Sequence, residues 1–320
     1  MPSSTSVSRP PASRASARTV ALALALLALG LFAADRAGGV LLDRLYPASG
    51  ASPAVRIAQA RPQVLVLGSS IAKYAIDPAA FLPGTFNAAA NGQGLFYAAA
   101  LVRNLPQDSG VKRIVFGVDP AEFIAGYKDS TFPHLADLGP LARHDPWLRD
   151  MIGRGDPWAE LKFQSRLYYY RGALAQILKR LLRRAEARAG FEPLRGVAHG
   201  PDMPVYHDVP PGKPSAHESL AALDLLLEAA AARGIQVVGL AIPEWGRDFA
   251  TAPRYQAVIA AIRARLEAAG ACDVIVAESV ELDRIRNDGA LSFDGAHMNA
   301  AGAAAYSPEI ARLIRERCGG

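Results

Sequence analysis

The chain contains only two cysteines in 320 residues, Cys272 and Cys318. They form no Cys-X-X-Cys pair and have no cysteine–histidine spacing typical of a zinc site. We therefore expect two unlinked thiols. A single disulfide is the alternative, if the chain folds in an oxidising compartment.

The sequence also lacks a strong charge of either sign. The formal net charge is +5, and the arginines are scattered rather than clustered among aromatic residues in the strand-like segments. This pattern does not favour nucleic-acid binding, so we expect no nucleic-acid partner. The apolar fraction of 51% is enough for a sizeable core, and disorder is expected only in the first residues.

One long apolar run, Val20–Ala34, follows a basic head at residues 1–18 that has no acidic residue. As a helix the run would cover roughly 22 Å, short for a membrane span and long for a signal-peptide core. Positive charge before such a run predicts that the following residues lie outside the cytoplasm. We interpret residues 19–36 as an uncleaved signal anchor for an extracytoplasmic, periplasmic domain. A secreted form cleaved after Ala34 is the alternative.

Residues 37–61 are expected to be a connector and residues 62–320 a single domain. Within that domain, apolar strand-like segments alternate with helical ones. The predicted strands are 63–67, 84–87, 113–117, 235–242 and 273–277, and the predicted helices are 94–104, 219–233, 255–269 and 300–317. This alternation predicts an α/β fold: a three-layer αβα, flavodoxin-like sandwich around a mostly parallel sheet.

Residues from about 121 to 215 interrupt the alternation. A helical stretch at 158–188 carries the run Lys179-Arg180-Leu181-Leu182-Arg183-Arg184. We interpret the region as a helical insertion with a solvated basic face. The alternative is a lid, or a helix that faces anionic lipid head groups.

The segment from Asp294 to Gly302 carries a candidate catalytic base. A carboxylate three residues before His297 can hold one imidazole nitrogen, which leaves the other free to take a proton from a nucleophile. The candidate nucleophile is Ser70, because Gly68-Ser69-Ser70 follows a buried strand where backbone N–H groups face developing negative charge. Its neighbour Ser69 is a candidate helix cap.

Four further candidate residues follow the other predicted strands. Gly92 would offer an N–H to an oxyanion beside that of Ser70. Asp119 follows the third predicted strand, and Glu244 with Trp245 follows the fourth. Ligands of parallel sheets bind at the carboxyl ends of the strands, so we expect a common site with Glu244 and Trp245 contacting the substrate.

These pieces together resemble the SGNH (GDSL-like) hydrolase superfamily. The resemblance implies that Ser70 is the nucleophile, His297 the general base and Asp294 its orienting carboxylate, with Ser70 and Gly92 forming the oxyanion hole. Asp119 stands where the family normally has an oxyanion-binding Asn. A carboxylate there repels an oxyanion unless it is protonated or turned away.

Gly68-Ser69-Ser70 followed by Ile76-Asp77-Pro78 is similar to one branch of that superfamily, the membrane-anchored members linked to polysaccharide O-acetylation and teichoic-acid D-alanylation. This implies an O-acyltransferase or acyl-ester hydrolase that acts on an extracytoplasmic glycan or similar ester through an acyl-Ser70 intermediate. It also implies a membrane acyl-exporting partner.

No cofactor is expected. No metal is expected either, because no further ligand cluster accompanies Asp294 and His297. The alternative function is a non-catalytic glycan-binding or scaffold protein, in which Trp147, Trp158 and Tyr168 would suit sugar stacking.

Overall fold

The computed structural model describes residues 14–123, 134–154, 156–182, 188–197, 216–243, 245, 253–274 and 279–319. A five-stranded sheet with the order β2-β1-β3-β4-β5 forms the centre, and all of its strand pairs are parallel. The strands are β1 (Val64–Leu67), β2 (Thr85–Asn87), β3 (Arg113–Val118), β4 (Gln236–Ala241) and β5 (Cys272–Asp273). The predicted α/β class with a parallel sheet is confirmed.

The described residues form eleven α-helices. They are α1 (Arg14–Ala48), α2 (Pro53–Ala60), α3 (Ser70–Ala75), α4 (Leu95–Arg103), α5 (Pro146–Gly153), α6 (Ala159–Lys162), α7 (Ala173–Leu182), α8 (Ala216–Ala231), α9 (Pro253–Ala268), α10 (Val280–Asn287) and α11 (Ala300–Cys318). Short 3₁₀ segments lie at Pro120–Phe123, Ala136–Arg143, Leu167–Tyr170, Arg188–Gly190 and Gly289–Leu291.

Both faces of the sheet are covered, which gives two hydrophobic cores. Successive side chains of a strand point to opposite faces. Leu65 and Leu67 of β1 therefore pack with α4, α8 and α9, whereas Val64 and Val66 pack with α3 and α11. Because helices cover both faces of the sheet, β1 is apolar at every position, as its sequence indicated.

The predicted helix at 158–188 is interrupted: α6, a 3₁₀ segment and α7 replace one continuous element. The break before α7 falls at Gly172. A Cβ at this glycine would lie 2.4 Å from the carbonyl carbon of Ala136, so the backbone at Gly172 packs directly against the start of the 3₁₀ segment Ala136–Arg143. Glycine permits this approach and also disfavours helix.

Residues 37–61, predicted as a connector, are largely helical. The long helix α1 continues to Ala48, and α2 follows with Ile57 fully buried in the core. Within the described part of the chain, α1 is the one helix long and apolar enough to cross a membrane, and its most apolar stretch is not buried against the protein. A membrane anchor and a signal sequence both fit this helix.

Cys272 and Cys318 form a disulfide, so the expectation of two unlinked thiols is wrong. The bond joins β5 at the edge of the sheet to the last residue of α11, with 5.6 Å between the two Cα atoms. The end of α11 lies beside the sheet, where the Gln236 side-chain amide donates to the Cys318 carbonyl. A sequence separation of 46 residues hides this proximity from sequence reasoning.

Candidate active site

Ser70 is the first residue of α3, directly after the turn that follows β1. Gly68 makes this turn with a φ of +137°, and a Cβ there would lie 3.1 Å from the carbonyl oxygen of Gly117. Ser69 has an extended backbone, and its hydroxyl accepts a hydrogen bond from the Ile71 N–H at 3.4 Å. Ser69 is therefore the helix cap, as predicted, and Ser70 remains the candidate nucleophile.

Ser70, His297 and Asp294 are brought together at the carboxyl end of β1. The His297 Nε2 atom lies 2.7 Å from the Ser70 Oγ atom. The His297 Nδ1 atom lies 3.0 Å and 2.9 Å from the two carboxylate oxygens of Asp294. Because Nδ1 faces a carboxylate, it carries the ring proton, and Nε2 is left to accept the hydrogen bond from the Ser70 hydroxyl.

The position of Asp294 is fixed by its own loop. Its Oδ1 atom accepts hydrogen bonds from the backbone N–H groups of His297 at 2.9 Å and Ala296 at 3.2 Å. Burial alone would raise the pKa of Asp294, but the hydrogen bonds from the His297 ring and these N–H groups lower it below its ordinary value. The carboxylate is thus kept ionised beside the imidazole.

Asn299 anchors the same loop to α11. Its side chain accepts from the Gly302 N–H at 3.0 Å, which caps the helix, and donates to the Ala290 carbonyl at 2.7 Å. The Ser292 hydroxyl accepts from the Gly295 N–H at 2.9 Å. These local bonds hold the loop that carries His297 in place.

Two neighbours of Ser70 on α3 were missed by sequence reasoning. The Tyr74 ring meets the His297 ring edge-on, with the centroids 5.5 Å apart. The Lys73 ammonium donates to the Tyr74 hydroxyl at 3.1 Å and to the Asn91 side chain at 3.3 Å. In the sequence, only the position of Lys73 and Tyr74 one turn after Ser70 in the predicted helix could have indicated them.

Gly92 lies in the loop that leads to α4, beside the Ser70 turn. The loop is held there because the Ala90 N–H donates to the Gly68 carbonyl at 3.2 Å. Gly92 has a φ of +67°, and a Cβ would lie 2.5 Å from the Nε2 atom of His134. His134 is a further side chain near the site that the sequence did not indicate, because it comes from the insertion.

Asp119 follows β3 and lines a small cleft at the carboxyl ends of the strands, together with Ser69, Gly117 and Ile242. The structure thus places Asp119 next to the turn that carries Ser70. The 3₁₀ segment after it brings Glu122 to α4, where its carboxylate accepts from the Leu95 N–H at 3.0 Å. Leu95 begins α4, directly after the loop that carries Gly92, so this contact links the end of β3 to that loop.

Glu244 lies outside the described residues. Trp245 packs against the loop after α10. Its backbone N–H donates to the Gly295 carbonyl at 3.0 Å, and a Cβ at Gly289 would lie 3.1 Å from its ring. Trp245 therefore lies beside the loop that carries Asp294 and His297, and its contact with substrate stays a prediction.

The aromatic residues considered for sugar stacking differ in exposure. Trp147 packs against the core and lies under the Arg103 guanidinium, 5.5 Å from its ring centroid. Tyr168 is half-buried, whereas Trp158 is exposed.

The arrangement supplies a hydroxyl, a base and an orienting carboxylate, which is the constellation for nucleophilic attack on a carbonyl. Among the described residues, no group of three or more His, Cys, Asp or Glu side chains is placed to hold a metal ion. A scan against protein-family models finds no matching family, and a search of curated proteins returns no match.

Proposed function

We propose that this chain is a serine-dependent acyl-transfer enzyme with an SGNH-like domain, acting on an ester of an extracytoplasmic glycan or a similar molecule. The observation that carries the proposal is the continuous hydrogen-bonded series from Ser70 Oγ through His297 to Asp294. A serine hydroxyl is a poor nucleophile until a base removes its proton, and this series provides that base.

In the first half-reaction, Ser70 Oγ attacks the ester carbonyl carbon while His297 Nε2 takes the hydroxyl proton. The tetrahedral oxyanion is held by the backbone N–H groups of Ser70 and Gly92. Asp294 stabilises the imidazolium that forms. The carbon–oxygen bond to the alcohol then breaks, His297 returns the proton to the departing oxygen, and acyl-Ser70 remains.

In the second half-reaction, an acceptor hydroxyl loses its proton to His297 Nε2 and attacks acyl-Ser70. The acyl–serine bond breaks, and the proton passes to Ser70 Oγ. A glycan hydroxyl as the acceptor makes the enzyme an O-acyltransferase, and water makes it an esterase. Both outcomes share the first half-reaction.

A location outside the cytoplasm is supported by two observations. An apolar helix follows a basic head, which is the order that leaves the following domain outside. The Cys272–Cys318 disulfide fits an oxidising compartment. In this setting the acyl group would reach Ser70 from a membrane acyl-exporting partner.

Asp119 favours a second candidate function, a non-catalytic glycan-binding protein that keeps the fold, because a carboxylate opposes an oxyanion. A fluorophosphonate probe separates the two functions, since it reacts only with an activated hydroxyl. We expect labelling on the peptide that contains Ser70, none in Ser70→Ala, and retained labelling in the matched variant Ser69→Ala. An intact, folded protein that does not label would refute the acyl-transfer proposal.

A further inference from the structure

Helix α7 of the insertion exposes a row of leucines. Leu174, Leu178, Leu181 and Leu182 are 43%, 52%, 52% and 83% exposed. At about 100° of rotation per residue they lie within one third of the helix circumference. The adjacent side, with Ala173 and Ile177, is buried in the core. We call these four side chains the leucine face.

Other exposed apolar side chains of the insertion lie nearby in sequence. Trp158 is 64% exposed, Leu161 is 66% exposed and Leu167 is 40% exposed. Charged side chains are interspersed with them: Lys162, Arg171 and Lys179 are exposed, Lys162 pairs with Asp156, and the exposed Glu160 lies between Trp158 and Leu161. Apolar and aromatic groups bordered by cations are typical of surfaces that lie in the interface of an anionic bilayer.

The insertion is joined to α1 where the apolar run of that helix ends. Asp35 is the first charged residue after the run, and its carboxylate accepts from the Ser165 hydroxyl and from the N–H groups of Arg166 at 2.9 Å and Leu167 at 3.1 Å. Gly39 allows this close approach, because a Cβ there would lie 2.5 Å from the Cβ of Arg166.

More contacts along α1 keep the two elements together. Asp43 pairs with Arg143 and accepts from the Tyr170 hydroxyl, and the Tyr46 ring meets the Tyr170 ring edge-on at 6.0 Å. Helix α7 also contacts α1. The insertion is therefore joined to α1 from Asp35, at the end of the apolar run, to Tyr46, which lies eleven residues further along the helix.

We propose that Trp158, Leu161, Leu167 and the leucine face rest in the interface of the same lipid bilayer that α1 crosses. The continuity with α1 identifies the occupant as lipid, because these side chains belong to an insertion clamped to the end of the membrane-spanning stretch. The inference rests on the proposed membrane anchoring. Its consequence is that the domain is held at two places, so the opening of the Ser70 site keeps one orientation relative to the membrane.

The test uses the full chain in nanodiscs of zwitterionic and anionic phospholipid, at one chain per disc. A phospholipid with a photoactivatable diazirine near the head group is cross-linked, and the sites are mapped by mass spectrometry. We expect cross-links at 158–182 as well as in α1. The double variant Leu178→Glu/Leu182→Glu should lower the yield at 158–182 at least fivefold and leave the α1 yield unchanged.

Val280→Glu is the matched control, since Val280 is an 89% exposed apolar residue on α10. It should not alter either yield. Cross-links in α1 alone would overturn the proposed lipid contact of residues 158–182 and leave the proposed membrane anchor intact. An absence of cross-links in α1 would overturn both the lipid contact and the anchor. In liposomes with several copies, a chain-to-chain cross-link through the leucine face would instead assign that face to a second copy. Fluorophosphonate labelling of the same samples reports separately on the proposed chemistry.

Discussion

His297 Nε2 lies 2.7 Å from Ser70 Oγ, although the two residues are 227 positions apart in the chain. The contact joins a turn at the end of β1 to a loop that is held by the N-terminus of α11. Local backbone hydrogen bonds fix both ends, so the candidate base and the candidate nucleophile are held in one arrangement.

The first prediction concerns the carboxylate. Asp294→Asn keeps the size of the side chain but removes the charge that holds Nδ1–H, so we expect kcat for ester cleavage to fall by about 10³–10⁴. Asp288→Asn, a few residues earlier in the chain, is the control, since the Asp288 carboxylate accepts from the Ala290 N–H and pairs with Arg284 rather than with His297. An equal loss in both variants would indicate a disturbed loop rather than a triad.

The second prediction concerns Asp119. Replacing it with Asn restores a neutral donor at the expected oxyanion position, and one such donor contributes about 3 kcal/mol to the transition state. We expect Asp119→Asn to raise kcat on a small soluble ester by up to about 100-fold. Asp108 is exposed, and Asp108→Asn serves as the control. A fall in kcat would mean that the Asp119 carboxylate has a positive role.

The third prediction concerns Gly92, where a side chain would meet two obstacles: a strained backbone conformation and a clash with His134. Gly92→Ala forces a side chain into a left-handed backbone at φ +67° and against His134. We expect a stability loss of more than the roughly 1–2 kcal/mol due to the backbone alone, together with reduced fluorophosphonate labelling. Gly234→Ala has a similar φ of +65° and open space around it, so it should show only the backbone cost. Chemical denaturation of both variants measures the difference.

The disulfide gives a fourth prediction. By the chain-entropy relation, closing a loop of 46 residues stabilises the fold by about 4 kcal/mol. The double variant Cys272→Ser/Cys318→Ser should lose up to this amount in urea unfolding while still labelling at Ser70. Added reductant should destabilise the wild type and leave the variant unchanged. Equal stability of the two proteins would show that the bond adds nothing.

The fifth prediction concerns pH. Burial alone would raise the pKa of Asp145, but hydrogen bonds from Arg103, Asn104 and the Leu148 N–H lower it. A lowered folded-state pKa adds stability at pH values above the unfolded-state pKa, and this stability is lost as the pH falls through the folded-state value. Asp145→Asn should therefore lose about 1–3 kcal/mol at neutral pH and approach the wild type in acid.

Asp137 supplies the opposite case for the same titration. Burial raises its pKa, so stability declines as the pH rises through the unfolded-state pKa to the raised folded-state value. Asp137→Asn should raise the melting temperature at neutral pH, and the gain should vanish in acid. If Asp145→Asn and Asp137→Asn shifted the melting temperature in the same direction at neutral pH, the opposite pKa shifts of the two carboxyl groups would be refuted.

Sequence periodicity predicted most elements of the fold. The strand at β1 was visible because a strand buried on both faces must be apolar throughout, and its boundaries agree with the prediction to within one residue. The stretch at 158–188 was less predictable. Its division depends on Gly172, whose role arises from contact with Ala136 on a separate segment.

The candidate site also has one part that the sequence could predict and another that it could not. The spacing from Asp294 to His297 is local, so the sequence could indicate the imidazole–carboxylate pair. His134 beside Gly92, and Tyr74 against the His297 ring, depend on which elements meet, and no local pattern reports that. Glu244 lies outside the described residues and stays a prediction.

The sequence by itself determined the α/β class, the apolar N-terminal segment and the local pairing of base and carboxylate, because each depends on periodicity or on neighbours a few residues apart. Only the tertiary structure decided that Ser70 meets His297, that Cys272 meets Cys318 and that the insertion is clamped to α1 at Asp35. These contacts join distant parts of the chain, and they are set by the order of the strands and the packing of the helices across the sheet.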